Sequence, residues 1–529
     1  MRRTQFFRIL AGLIVLIILI FILKNILVEP LVKKKIETTF NEKVTDYVIK
    51  IGNVDISILP TAIKVENVTL DSKQQESSTG EVKGTIDFIK LKGIGLLKAI
   101  FKNHLDIDEV TISNCIIDGN VLFHKNEKPP AISPVNLRIG SLLFDTLDVT
   151  MGDISNAQTY IVKKGFMKIS DINVGKFDTL SPGIINRIDL TAERFTTVTP
   201  DSLYSFTVSQ LNYAATSGKM TLDSVLIVPN YTNYEFAAHN EFETDRIEAT
   251  LSNILIRDFS VAGYLKNQNI ESSYIEVGKF EAEAFRDKRK KFRHINKPML
   301  QDAIYNYPGL LRIDSIGIMD GNITYIEHAE KANQAGNISF NELKAKIYKI
   351  TNDTINPNKE TNLQLDAKAL LMGSGQISVI LKAAYFDKSN SFTVVGKLTG
   401  MNVSELNPML SNNAFIHANS GKIDAMNFSF TANKAKATGK MQLLYHGLNI
   451  SVKNKQTDET GALLEKVLSS IANIKLLDSN PKPGEPVRIG IIDYERDPER
   501  FIINYCFKAL LSGIKSSIVQ PPKQKKKER

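Results

Sequence analysis

The stretch Ile49–Ile56, IKIGNVDI, carries its apolar residues at Ile49, Ile51, Val54 and Ile56. A half-buried strand alternates with period two. Here the rhythm skips once, across Gly52-Asn53, and then resumes. The same spacing, Φ-x-Φ-x-x-Φ-x-Φ with Φ apolar, recurs at Ile63–Leu70, Ile89–Leu96, Leu105–Ile112, Leu137–Phe144, Met167–Val174, Phe206–Tyr213 and Met220–Ile227. It continues at Ala249–Ile256, Ile275–Ala282, Leu311–Ile318, Ile338–Ala345 and Ile423–Phe430, thirteen copies in all. Every middle pair contains Gly, Asn, Asp or Ser, residues that tolerate irregular backbone. One extra residue normally turns the rest of a strand over. A β-bulge absorbs it and bends the strand, so both halves keep their apolar side chains on one side. The pattern therefore predicts a mainly β chain: one elongated, curled antiparallel sheet with an apolar trough and a polar exterior. A series of sandwich domains would also alternate, but no Pro- or Gly-rich linker divides the body.

The 529 residues are 43% apolar and 23% charged, with no long acidic or Ser/Pro-rich tract, which argues against bulk disorder. The net charge of +9 would suit nucleic acid, but its location argues otherwise. Residues 1–35 carry +6 and residues 521–529 carry +4, leaving the body at −1. A phosphate-binding protein needs its charge on the folded body. The local run Arg286, Lys288, Arg289, Lys290, Lys291 and Arg293 reads as a solvated connection, with a headgroup or nucleic-acid patch as the sharper alternative. Cys115 and Cys506 are the only cysteines and form no metal or redox motif.

Arg2, Arg3 and Arg8 precede the apolar run of residues 9–28, which includes Ile9, Leu16, Phe21 and Val28. Its length suits a hydrocarbon span, and it lacks the small-x-small site of a cleaved signal. It reads as an uncleaved anchor. Lys24 and Lys33–Lys35 balance the arginines, so charge leaves its orientation open. Helices are expected at Pro30–Lys43, Gly95–Asn103, Pro298–Tyr305 and Ala462–Ile474. Another is expected from Asp497-Pro498, as N-cap and first turn, through Ile518.

No phosphate-binding loop, nucleophile elbow or zinc-protease motif occurs, and the seven histidines have no metal-ligand spacing. The residues point to no catalytic site, metal or cofactor.

The anchor followed by EPLVKKKIETTFNEKVTDYVIKIGNVDISILPTAIKVENVTL resembles the start of AsmA-family proteins. FIKLKGIGLLKAIFKNHLDIDEVTISNCIIDGNV is similar to the next family segment. PGLLRIDSIGIMDGNITYIEH, GNISFNELKAKIYKITN and SGKIDAMNFSFTANKAKATGKMQLLYHGLNISV resemble its C-terminal half, and YERDPERFIINYCFKALLSGIKSSI resembles the ending of some members. Each motif is loose and their order carries the likeness. The resemblance implies a β-taco fold related to bridge-like lipid-transfer proteins. It also implies an N-terminus in the cytoplasm, a single span of the inner membrane, and a body in the periplasm of a diderm bacterium.

On this reading residues 1–29 are a stub and transmembrane anchor, 30–296 and 297–496 are two AsmA-like β-groove halves, and 497–529 are an amphipathic helix and basic tail. The expected function is binding of lipid acyl chains in the groove, supporting phospholipid transport between inner and outer membrane and outer-membrane integrity. Val54, Ile56, Ile58, Val110, Ile112, Ile316 and Ile318 are the candidate groove residues. The expected partners are phospholipids, the inner membrane and envelope proteins at the C-terminal end, without nucleic acid. The C-terminal helix either caps the groove or lies on an anionic surface or partner. The competing class is a structural or assembly protein with a filled interior. Dense Phe, Leu and Tyr would fill it, whereas the Φ positions lean to Ile and Val.

Overall fold

A computed structural model describes residues 28–43, 47–58, 60–72, 81–95, 104–121, 136–153, 158–174, 188–353, 362–385, 387–452 and 476–519. The apolar run of residues 9–27, with Ile9, Leu16 and Phe21, lies outside them, and Val28 is exposed. The helices expected at Ala462–Ile474 and over most of Gly95–Asn103 also lie outside. Among the described residues no helix is long and apolar enough to cross a membrane.

The fold is mainly β, a 21-stranded sheet with few helices. It is mostly antiparallel but not wholly so, which corrects the expectation from alternation. The chain divides into two compact units, residues 1–223 and 224–529, each treated by itself below. The boundary drawn from sequence at 296/297 falls inside the second.

The first unit begins with helix α1 (Glu29–Lys43), then β1 (Tyr47–Lys50), β2 (Asn53–Ile58), β3 (Thr61–Ser72), β4 (Val82–Lys92) and β5 (His104–Val121). It continues with β6 (Asn136–Asp153), β7 (Gln158–Val174), β8 (Ile188–Val198) and β9 (Tyr204–Ala214). Strand β10 (Lys219–Pro229) contains the division point. β5 and β6 pair in parallel, and the other ladders among β1–β9 are antiparallel.

The skip is a crease shared by neighbouring strands. Between the pairs Lys50↔Thr69 and Asn53↔Glu66, two residues intervene on each side, so the register does not slip. Along the crease Asn67 in β3, Asn114 in β5, Lys164 in β7 and Gln210 in β9 all take positive φ, between 45° and 52°, and of these four Asn67 and Gln210 fall in the middle pairs of Φ copies. A left-handed residue re-aims the side chains that follow, so positions three apart share a face. Opposite Asn67 the backbone comes so close that a Cβ on Gly52 would lie 2.8 Å from the Asn67 Cβ. Ile49, Ile51, Val54 and Ile56 consequently pack in one cluster, as a kink with both halves facing alike requires. True register shifts occur at β6/β7, between Phe144 and Val149.

α1 closes the edge of β1 and β2. The Ile49 N–H donates to Asn41 Oδ1 (2.9 Å), the Ile51 N–H to Glu37 Oε1 (2.7 Å) and the Ile56 N–H to Glu29 Oε1 (3.1 Å). Lys33 Nζ donates to the Gly52 carbonyl (2.7 Å). Val32 and Ile36 of α1 lie on Ile51, Val54, Val65 and Val68. Unpaired edge groups are thus satisfied by side chains.

The second unit holds α2 (Asn233–Ala238), β11 (Asp245–Arg257), α3 (Val261–Asn267), β12 (Ile270–Ser272), β13 (Tyr274–Asp287) and α4 (Leu300–Tyr305). These are followed by β14 (Leu311–His328), β15 (Gly336–Thr351), β16 (Asn362–Leu371), β17 (Gly375–Ala384), β18 (Phe392–Asn402), β19 (Ile416–Ala432), β20 (Lys436–Val452), β21 (Ile489–Glu495) and α5 (Ile502–Ile518). β12 and β13 both pair with β14 in parallel. The crease recurs at Asn253 (φ 54°) opposite Gly278. The copy at Ile423–Phe430 is not a crease at its middle pair. Met426, Phe428 and Phe430 alternate inward there, and the irregularity sits between Ile423 and Ala425.

One face of β16–β21 is a packed core of Phe392, Val394, Phe428, Phe430, Met441 and Ile492 with Tyr505 and Ala509 of α5. α5 also closes the β21 edge: the Ile491 N–H donates to Ser516 Oγ (3.0 Å) and the Asp493 N–H to Ser512 Oγ (3.1 Å). α5 begins after Phe501, later than the Asp497 start expected from sequence. Asp497 instead closes a turn, accepting from the Glu499 N–H at Oδ1 (2.9 Å), and the Pro498 carbonyl accepts from the Lys297 N–H (2.8 Å). The basic run from Arg286 to Arg293 is largely engaged. Arg286 pairs with Asp245, Arg289 with Asp287, Lys288 with Glu327, and Arg293 lies over the Phe242 ring.

Candidate functional site: an apolar face of the first unit

Register arranges the Φ positions of the first unit into rows across the strands. One row runs Val54, Val65, Ile89, Ile112, then Phe144, Met167, Leu190 and Tyr213. The next, two residues away on each strand, runs Ile56, Ile63, Leu91, Val110, Leu142, Ile169 and Ile188. Beyond the crease a third row runs Ile49, Leu70, Gly84, Ile117, Val149, Val162, Phe195 and Val208. The joint cluster under α1 shows that rows on both sides of the crease share one face.

Four expected groove residues therefore meet here. Val54 and Ile112 share a row, and Ile56 and Val110 share the next. Of Ile58 only the backbone is described, paired with Thr61. Ile316 and Ile318 belong to the second unit. Ile316 continues through Ile347, Leu365, Leu381 and Val394 to Phe430, so its row ends in the packed core.

Burial divides the face. Under α1, Ile51, Val54, Val65 and Val68 are buried, and that cluster reaches no farther than β4 among the described residues. From β5 onward the rows continue; Val110, Ile188 and Tyr213 are buried, whereas Ile112, Leu142, Phe144, Met167, Ile169, Leu190 and Phe195 are only half-buried. The residues missed by the sequence reading are these aromatic and Leu/Met members on β6–β8. Phe144 closes one Φ motif and Met167 opens another, a signal that was available.

The reverse face is polar. Lys64 pairs with Glu66 (2.5 Å) and Lys92 with Glu109 (2.7 Å). The Lys92 hydrogen bond holds the Glu109 carboxyl below the usual range, against a smaller opposing effect of burial. Both Cys115, which is buried, and Cys506 are free thiols. Among the described residues no three His, Cys, Asp or Glu side chains come together as metal ligands. The arrangement suits apolar contact and supplies no acid–base pair on the apolar face.

No protein-family model matches the chain, and no curated protein matches it in sequence.

Proposed function

We propose that this chain is a membrane-anchored lipid-binding protein of the bacterial envelope that holds acyl chains along the apolar face of β5–β9. The observation that carries this reading is the continuation of three apolar rows beyond α1, most of their members half-exposed, backed by a polar face. Acyl chain burial is worth about 0.8 kcal/mol per CH₂, so a lipid can be held there without polar recognition. Rows of similar residues offer no single deep minimum, which suits sliding along the face. The apolar run of residues 9–28 and the likeness in motif order to AsmA-family proteins support an inner-membrane anchor and a periplasmic body. On that basis the protein supports phospholipid movement between inner and outer membrane in the manner of a β-taco groove.

The alternative is a non-catalytic structural or assembly protein acting through protein contacts. The Phe-, Met- and Tyr-filled core of the second unit favours it for that unit, because no lipid is needed to cover that face.

The test is lipid extraction and native mass spectrometry of the detergent-purified full chain and of Phe144→Asp/Leu190→Asp. Both sites are half-buried, away from α1, so the fold survives. Co-purifying phospholipid should fall about tenfold at unchanged circular dichroism, since roughly two lost methylene contacts cost ~1.6 kcal/mol. Undiminished lipid would refute the face assignment.

A further inference from the structure

We propose that the second unit carries a separate binding site for a long-chain acyl carboxylate, on the face of β14–β21 opposite its packed core. A cavity of about 1160 Å³ touches all eight of these strands. Its lining comes as triplets, such as Lys344–Lys346, Asp366–Lys368, Ser378–Ile380, Val395–Lys397 and Lys440–Gln442.

Register and burial decide which face it occupies. The central members Ala345, Gly396, Phe428 and Met441 point into the core. Phe428 is 3% exposed and Met441 0%, and a Cβ on Gly396 would lie 2.1 Å from the Phe428 ring. There is no space on that side. The flanking members project the other way, where Val395 is 50% and Ile491 52% exposed. Paired neighbours on this side run Asp366, Ile380, Val395, Ser429, Lys440 and Ile491 across five ladders.

Two features define the ligand. The floor holds large exposed apolar side chains: Met319, Ile380, Val395, Ile489 and Ile491. Solvent-facing positions of a sheet are ordinarily polar, so an apolar strip this wide marks a binding surface. Around it stand five lysines, Lys344, Lys346, Lys368, Lys397 and Lys440, against one carboxylate, Asp366. Asp366 accepts from the Gln364 side chain (2.9 and 3.0 Å). Among the described residues none of the five lysines is engaged in an ion pair. The lining contains no arginine, so recognition is by point charge rather than a bidentate fork. An acyl chain lies on the floor while its single carboxylate takes a lysine ammonium. Nucleic acid would leave the floor unmatched, and a neutral lipid would leave the lysines unmatched. The inference stands on residues that the first unit does not share.

The test uses the full chain in detergent with a diazirine-bearing oleate analogue and the corresponding oleyl alcohol analogue. Labelled residues are mapped by peptide mass spectrometry. Labelling by the oleate analogue should include Ile380, Val395 or Ile491. It should fall about tenfold in Lys368→Glu/Lys397→Glu, both exposed, since turning two exposed attractions into two repulsions costs on the order of a factor of ten. The alcohol should label these strands at least several-fold less. Equal labelling by the alcohol, equal labelling of the double variant, or labels confined to residues 47–223 would each overturn the proposal. Labels on β14–β21 with none on β5–β9 would instead leave this site standing and count against the groove of the first unit.

Discussion

Replacing Gly490 by alanine should loosen α5 from the sheet. Gly490 lies in β21 beneath the helix, and an added Cβ would sit 2.2 Å from Ser517 Oγ and 2.5 Å from the Gly513 carbonyl oxygen. A carbonyl of the helix backbone cannot rotate aside as a flexible side chain can. Restoring ordinary contact requires α5 to retreat by about 1 Å, since unstrained contacts begin near 3.4 Å. That movement stretches the hydrogen bonds from the Ile491 N–H to Ser516 (3.0 Å) and from the Asp493 N–H to Ser512 (3.1 Å) past useful length. Overpacking costs about 1–3 kcal/mol, and two lost hydrogen bonds at a partly exposed edge add about 0.5–1 kcal/mol each. The total is about 2–5 kcal/mol. At roughly 2 °C per kcal/mol for a unit of this size, Tm of the second unit should fall by about 4–10 °C. Hydrogen exchange should show faster exchange at Ile491 and Asp493. Thr393→Ala, on the exposed side of β18, serves as the control. An unchanged Tm with both amides still protected would refute the close-contact argument.

Two further outcomes follow from the described geometry. Asn114 has φ 48° and its Nδ2 donates to Asp87 Oδ2 (2.5 Å). Asn114→Val should cost the first unit about 2 kcal/mol through left-handed strain and the lost bond, and Asn114→Gly much less; equal denaturant midpoints for the two would contradict a strained crease. Burial alone would raise the Glu327 carboxyl. Lys288 Nζ (2.7 Å), the Tyr325 hydroxyl (2.7 Å) and Asn413 Nδ2 (3.0 Å) overcome that and hold it below the usual range. Because the folded value is depressed, this stabilisation is present above the unfolded value, about 4.3, and is lost as pH falls through the folded one. Glu327→Gln should therefore flatten the acid side of the Tm–pH profile, and an identical slope in the variant would be the contrary result.

The sequence made some of this legible and hid the rest for physical reasons. Alternation with a skip announced both the strands and the shared face, because side-chain direction is set locally. That the skip is matched on the facing strand depends on which strands pair, and Gly52 opposite Asn67 is a fact of register. The parallel β5/β6 ladder was equally invisible, since alternation is blind to strand direction. Pro30 announced α1 correctly. Asp497-Pro498 misled about α5 because Arg500, stacked over Phe292 (3.7 Å) and near Glu243 (3.4 Å), ties residues 497–501 into a loop. The short helices α2 and α3 went unread, although Thr232 with Glu235 and Ser260 were available as start signals. In the candidate site, the Ile and Val preference held on β1–β5. It did not extend to β18–β20, where strict alternation of Phe, Val, Leu and Met builds a filled core.

The way α1 and α5 cover strand edges bears on how a chain of this kind can change length. At both places the outward N–H groups end on side chains: Asn41, Glu37 and Glu29 at one, Ser512 and Ser516 at the other. Neither stop depends on the number of strands in its own unit. Hairpins gained or lost inside either unit leave its terminator in place, so the length of each can change without new edge chemistry. A break between two interior strands has no such stop. It would bare a ladder of unpaired amides, a surface on which separate copies adhere.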